Sequence, residues 1–212
     1  MSIFQNSAVQ QGIKNVIFDL GGVLLNLDVD RTLHQFAAIS GLSAEEIKHN
    51  ISTLAFFIDY ETGLITSAEF RNYLRRYLNT DIHDAALDNA WNAMLLDFPH
   101  EKLQLLQQLS KTHRTFLLSN TNEIHWVAFT ESMHKQGIEC FDACFEKAYY
   151  SHLLHQRKPD ANVFKYVLET NQLLPQQTLF IDDTLANVES ARQVGILAVH
   201  LSNPNQLFDV LR

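Results

Sequence analysis

Cysteine is nearly absent from this sequence: two residues, Cys140 and Cys144, in a chain of 212. Two are too few for a disulfide framework. Four apart on a helix they would share one face, and they read as small core residues. No HExxH and no Cys/His cluster of zinc spacing occurs, so the ten histidines read as surface or satisfied polar residues. No apolar run approaches the roughly 18 residues of a membrane span. Positive charge is also short. The net charge of −8 repels phosphate backbones and excludes a general nucleic-acid binder. It leaves room for a small anionic substrate, which needs positive charge only locally. Met1 to Gln11 is polar, with neither a basic start nor an apolar core, so no secretory signal is expected and residues 1–13 read as a loose tail of a cytoplasmic protein. What remains is 46% hydrophobic, enough for a full core in one medium domain, or a domain with a smaller insert.

Short apolar runs alternate with helical patterns. NVIFD at 15–19, TFLLS at 115–119, KAYYS at 147–151, TLFID at 178–182 and ILAVHL at 196–201 read as buried strands. Between them lie helices: one opened by Pro99, one over about 123–136 that stops at Gly137, one starting at Pro159-Asp160, and one from Thr184 to Gly195. Strands alternating with helices mean an α/β protein with a parallel sheet covered on both faces. Residues 29–97 break the alternation, with helical patterns only. These include RTLHQFAAIS, a continuous SAEEIKHNISTLAFFIDYETG, TSAEFRNYLRRYL and DAALDNAWNAMLL. Ser43 with Glu46 is a capping-box signature. A helical insert after the first strand would sit above the C-terminal edge of the sheet as a lid, hinged near 28–31 and 95–99.

Parallel strands gather active residues at their C-terminal ends. Three runs end on polar residues: Asp19, Ser119, and Asp182 with Asp183. Any one of them alone could simply cap the next helix; all three together, with Lys158, point to a site. Three clustered carboxylates repel one another unless positive charge offsets them. Mg²⁺ answers that need, since it takes one or two carboxylates, waters and a phosphate oxygen. Lys158 adds a fixed charge and Ser119 a hydroxyl donor. Gly21 and Gly22 bare the backbone of the turn, so that its N–H groups can approach an oxyanion. Together these parts describe phosphoryl transfer to an aspartate.

At this point the chain resembles the haloacid dehalogenase superfamily of phosphohydrolases. Asp19-Leu20-Gly21-Gly22-Val23 stands where the superfamily has D-x-D-G-[TV]. Leu117-Leu118-Ser119, Lys158-Pro159 and Ile181-Asp182-Asp183 match its other three motifs, in order and across nearly the whole chain. DLGGV, LLSNTN, RKPDANVFKYVL and FIDDTLANVESARQVG are similar to the helical-cap subgroup that includes bacterial α-D-glucose-1-phosphate phosphatases. The resemblance implies a Rossmann-like parallel sheet core over 14–28 and 98–212, with an inserted α-helical C1 cap over 29–97. It implies that Asp19 is the nucleophile. Mg²⁺ is held by Asp19, the Gly21 carbonyl, Asp182 and Asp183, with Asp183 favoured as the direct ligand. Ser119 and Lys158 hold the transferring phosphoryl oxygens. Gly21, Gly22 and Asn120 lie at the substrate, with a plain turn residue as the other reading of Asn120. The substrate would be a small phosphorylated metabolite, a sugar phosphate such as glucose 1-phosphate, with no nucleic-acid or membrane partner.

One departure stands out. In many relatives the second acid of the first motif protonates the leaving group and then activates water. Gly21 can do neither, and such help is worth about 10²–10⁴-fold. An anomeric oxygen, which leaves more easily than a simple alcohol, suits this loss. Asp28 is the nearest alternative acid, though a solvated hinge position suits it better. Three rival readings share the scaffold. A 2-haloacid dehalogenase has no use for the Asp182-Asp183 pair. A phosphomutase needs the acid that Gly21 lacks. A catalytically weak binding or regulatory protein has only Gly21 in its favour.

Overall fold

The computed structural model describes residues 12–51 and 54–211, so Met1 to Gln11, most of the expected tail, lie outside the described residues. Five parallel strands form one sheet: β1 (Asn15–Phe18), β2 (Arg114–Ser119), β3 (Lys147–Tyr150), β4 (Thr178–Asp182) and β5 (Leu197–His200), in the order β3-β2-β1-β4-β5. All four residues of β1 are buried, as a central strand covered on both faces requires. Its side chains alternate. Val16 and Phe18 join one core cluster with Leu103, Leu106, Phe129 and Leu207, while Ile17 joins another with Val163, Phe164, Val167 and Val188. Helices α6 (His100–Leu109), α7 (Glu123–Lys135) and α11 (Gln206–Val210) therefore cover one face, and α9 (Ala161–Thr170) and α10 (Leu185–Gln193) the other. Ile13 is buried in the first cluster, so the core begins inside the segment read as tail. Its backbone is drawn in because Lys14 donates to the Gln177 carbonyl at 2.9 Å.

The chain runs outward from β1 to β2 and β3, then returns to the other side of β1 for β4. That reversal opens a crevice at the C-terminal ends of β1 and β4. Register puts Phe18 opposite both Leu117 and Ile181, so Asp19 and Asp182 leave neighbouring strands at the same level.

Five helices follow β1: α1 (Val29–Ser40), α2 (Ala44–Ile51), α3 (Ala55–Glu61), α4 (Ser67–Leu78) and α5 (Asp84–Asn92). They share a separate hydrophobic cluster built on Leu33, Phe36, Phe57, Phe70, Leu74 and Trp91. The stretch expected as one helix from Ser43 to Gly63 is two, because Leu54 is extended (φ −75°, ψ 118°) ahead of α3. Both capping boxes form: Ser43 with Glu46 and Thr66 with Glu69. The insert's two ends pair as a short stem, with Asp28 N donating to Met94 O and Asn26 exchanging backbone bonds with Leu96 and Asp97. Cys140 is exposed and Cys144 only partly covered. Cys140 precedes a 3₁₀ turn that Cys144 ends, so they do not share a helix face; Cys144 packs against the first core cluster, whereas Cys140 is not the core residue expected. Among the described residues no helix is long and apolar enough to cross a membrane.

One junction ties insert to core. Trp91 stacks on His125 with ring centroids 4.4 Å apart and donates from Nε1 to Asn122 Oδ1. The same oxygen accepts from His125 N, so the Asn122 amide nitrogen faces His125 Nδ1. This fixes the tautomer: His125 carries its proton on Nε2 and donates to the Trp91 carbonyl. A second proton would meet another N–H. Burial accordingly pushes His125 down to about 4. The unfolded chain takes up that proton below about pH 6.5, so this group's contribution to stability is lost as pH falls from there toward 4. His125→Gln should flatten the acid limb of the stability curve relative to wild type by on the order of 1 kcal/mol per pH unit. Denaturant unfolding of both proteins between pH 7 and 4 measures the difference; parallel curves would refute it.

Candidate active site

The crevice is built by strand ends and the turns behind them. Lys158 lies on the loop between α8 (Ser151–Leu154) and α9 and is 1% exposed. Its Nζ is 2.8 Å from Asp19 Oδ1 and 2.7 Å from Asp182 Oδ2, and 5.4 Å from the Phe180 ring centroid. Burial works against the Lys158 charge, but the two carboxylates outweigh it and hold its pKa above the usual lysine value. Asp19 is pushed up to about 7, chiefly by burial; Lys158 pulls the other way and Asp182 adds to the rise. Asp183 is raised too, by burial and then by Asp182. Oxygen atoms of Asp19, Asp182 and Asp183 all lie within 4.8 Å of one another. The site thus holds more negative charge than one lysine offsets.

The two acids after β4 are not equivalent. Asp182 is fully buried and saturated: it accepts from Lys158 Nζ, from Thr184 N at 2.7 Å and from Asn187 Nδ2 on both oxygens. Asp183 stands at the crevice mouth, partly open to solvent, and among the described residues its carboxylate meets one side chain, Thr184 Oγ1 at 3.2 Å, while His200 Nε2–H donates to its backbone carbonyl. Asp183 is the acid left free to meet a ligand. Gly22 makes room for it. Gly22 has φ +71°, and a Cβ there would overlap Asp183 Oδ2. Leu24 and Leu25 both donate to the Leu20 carbonyl, which leaves the Gly21 carbonyl without a backbone donor among the described residues. Ser119 ends β2, buried, and its hydroxyl makes no hydrogen bond among the described residues. The Gly22 N–H is taken by the Leu25 carbonyl at 2.9 Å, so the site brings together a carboxylate at the end of β1, a lysine, a hydroxyl, an open acid and the Gly21 carbonyl. That set suits binding and transfer of an oxyanion group beside a hard cation.

A model of the haloacid dehalogenase-like hydrolases matches residues 13–195. The chain belongs to that family. It is 28% identical over 185 residues to the D-ribitol-5-phosphate phosphatase of Bacteroides thetaiotaomicron, covering 86% of this chain and 89% of that protein. Among solved structures, a HAD-family enzyme of the same organism in its magnesium complex superposes with a TM-score of 0.82 at 38% identity, covering 90% of this chain and 93% of that one. An aspartate-to-alanine variant of that enzyme was solved with magnesium and inorganic phosphate. A predicted HAD-like hydrolase of Porphyromonas gingivalis has a TM-score of 0.81 at 30% identity, covering 89% of this chain and 91% of that one. The L-2-haloacid dehalogenase of Xanthobacter autotrophicus shares the fold only, at 19% identity and a TM-score of 0.60.

Asn120, expected at the substrate, is engaged elsewhere. Its Nδ2 donates to the Lys158 carbonyl at 2.8 Å and its Oδ1 accepts from Lys158 N at 2.9 Å. The side chain clasps the lysine's own peptide unit. Asp28 does not turn inward either: it lies 3.2 Å from Arg31 at the start of α1. Two contributors had no role assigned to them from the sequence. Asn187 braces Asp182, and Glu61, at the end of α3, pairs with Arg157 at 2.9 Å. An asparagine five residues after an acid pair at a helix start was the available signal for Asn187. For Glu61 it was an acid just ahead of a glycine turn.

Gly22→Ala should cost about 1–3 kcal/mol in backbone strain and displace Asp183, with turnover falling as well. Gly41→Ala is the control. Gly41 has φ +75° and open space around it, so that change should lower stability alone. Unfolding midpoints and turnover of the two variants check both halves; equal activity in the pair would refute the steric role.

Proposed function

We propose that the chain is a magnesium-dependent phosphatase of small phosphate monoesters, of the sugar or polyol phosphate class, acting through an aspartyl phosphate on Asp19. The observation that carries this reading is the division of labour around Lys158. One acid, Asp182, is spent on holding the lysine, while a second, Asp183, is kept open beside Asp19. Residues 14–28 and 98–212 form the core in this reading, and 29–97 the cap.

The donors fit the metal. Carboxylate oxygens of Asp19 and Asp183 and the Gly21 carbonyl are hard ligands in one small space, where burial first and the like charge of Asp182 after it disfavour the ionised acids and a cation would offset both. Asp182 completes the set from behind. Magnesium bound there supplies the positive charge that lets an anionic phosphoryl group approach an anionic nucleophile.

The chain's own residues do the rest. Lys158 and Ser119 orient the phosphoryl oxygens; the Gly22 N–H, expected there, is instead spent on the Leu25 carbonyl at 2.9 Å. Asp19 attacks phosphorus, the bond to the leaving oxygen breaks, and water later attacks the same phosphorus to release phosphate and restore Asp19. Asn120 holds the Lys158 backbone in place. Asp182 and Asp183 speak against a dehalogenase, whose attack on carbon requires no such pair.

Gly21 leaves the departing oxygen without the usual proton donor. Rate should then rise as leaving-group pKa falls across a series of phosphate monoesters. Sugar 1-phosphates should outrun 6-phosphates of the same sugar, and excess chelator should abolish turnover. Gly21→Asp should flatten the series. The backbone tolerates it, because Gly21 is not among the glycines with positive φ; the obstacle is the Leu27 side-chain tip, 2.6 Å from where a Cβ would stand. Single-turnover rates keep product release from masking chemistry. Full activity in chelator would overturn the magnesium dependence. A flat wild-type series would move the proton to another residue.

A further inference from the structure

Core and cap meet at one ion pair beside the phosphoryl site. Arg157, the residue before Lys158, places Nη2 2.9 Å from Glu61 Oε2. Glu61 is held there by its surroundings. It precedes the Thr62–Gly63 turn, where the Thr62 carbonyl accepts from His155 Nδ1 at 2.8 Å. Gly63 lies so close to the His152 carbonyl that a Cβ would overlap it. Burial raises the Glu61 pKa, against Arg157 and then Lys158, so the charge that grips Asp19 also reaches Glu61. The pair lines a cavity of about 220 Å³ walled by Val29, Leu33, Phe57, Trp91 and Met94. Val29 opens α1, and the Met94 carbonyl accepts from Asp28 N at the end of the stem that leads away from the Asp19 turn.

We propose that Glu61 and Arg157 are the specificity pair for the leaving group, and that this group is a small polyol or sugar with adjacent hydroxyls. The proposal rests on the phosphatase reading above. Among the described residues Glu61 has no polar partner but Arg157, so one carboxylate oxygen is free. A hydroxyl both donates and accepts. Two neighbouring hydroxyls can therefore bridge a carboxylate and a guanidinium that already lie side by side. Phe57 and Trp91 supply apolar wall for the carbon-bound hydrogens. The volume lies below the roughly 300–1,000 Å³ of drug-sized ligand sites, which suits a small sugar or polyol better than a nucleoside. An alkyl alcohol would fit the walls but would bury the pair without giving it a partner. A charged leaving group finds no net charge to meet.

The test compares wild type, Glu61→Gln and Arg157→Lys on polyol phosphates, hexose phosphates, alkyl phosphates of matching length and p-nitrophenyl phosphate. The ratio of kcat/KM for polyol or sugar esters over that for alkyl and p-nitrophenyl esters should fall about ten- to a hundredfold in each variant, the effect of losing a hydrogen bond to a charged group. Calorimetric binding of the same polyol phosphate to Asp19→Asn, with and without Glu61→Gln, should show a matching loss of affinity. An unchanged ratio with unchanged binding overturns the proposal, as does a wild-type preference for the alkyl esters. Absence of any turnover by wild type, with binding still dependent on Glu61, would sink the phosphatase reading and leave the recognition pair standing.

Discussion

A buried ammonium held between two carboxylates organises this protein. Lys158 is 1% exposed, and removing a partner from such a group costs about 3–5 kcal/mol. The fold therefore has to deliver Asp19 and Asp182 to it together. The parallel sheet does so by placing β1 beside β4 in register, with both chains leaving at the same level. The lysine is delivered from the opposite side of the sheet order, on the loop after α8. Asn120, following β2, fixes that loop through both polar atoms of its amide. Asn187 and the Thr184 amide complete the shell around Asp182. What this arrangement leaves open, the Asp183 carboxylate and the Gly21 carbonyl, is where a ligand is to be received.

Much of the frame was legible in the sequence because its signals are local. Five apolar runs ended within one residue of where strands end, and three ended on the residues that line the crevice. Helix stops at Gly137 and Gly195 were readable from backbone preference, and both glycines have positive φ. Asn120 was not readable in the same way. Its neighbour Ser119 suggested a ligand contact, whereas its partner lies 38 residues away, a pairing that only the folded loop creates. The break ahead of α3 was hidden because both halves carry helical periodicity. Glu61 was hidden because its partner sits in the core, on the far side of α4 through α8 in the chain.

The insert is more than a cover. Trp91, Asn122 and His125 lock it to α7 through one amide and one imidazole. Glu61 and Arg157 join it to the segment that carries Lys158. The second contact makes the leaving-group pocket and the phosphoryl site neighbours through two consecutive residues. Recognition of the substrate's far end can in this way bear on the lysine that grips its near end, in keeping with the use of remote binding energy for chemistry. Gly21 fits the same logic. With no acid in the first turn, discrimination rests more heavily on what the cap holds and on how readily the leaving oxygen departs.

The central claim is that Asp19 carries the phosphoryl group. Rapid acid quench of the enzyme with substrate and Mg²⁺, followed by peptide mass spectrometry, measures it directly. Phosphate is expected on the peptide containing Asp19, within the first turnover, and on no peptide when Mg²⁺ is omitted or when Asp19→Asn is used. Turnover by a folded Asp19→Asn protein, or phosphate trapped on a different residue, would contradict it.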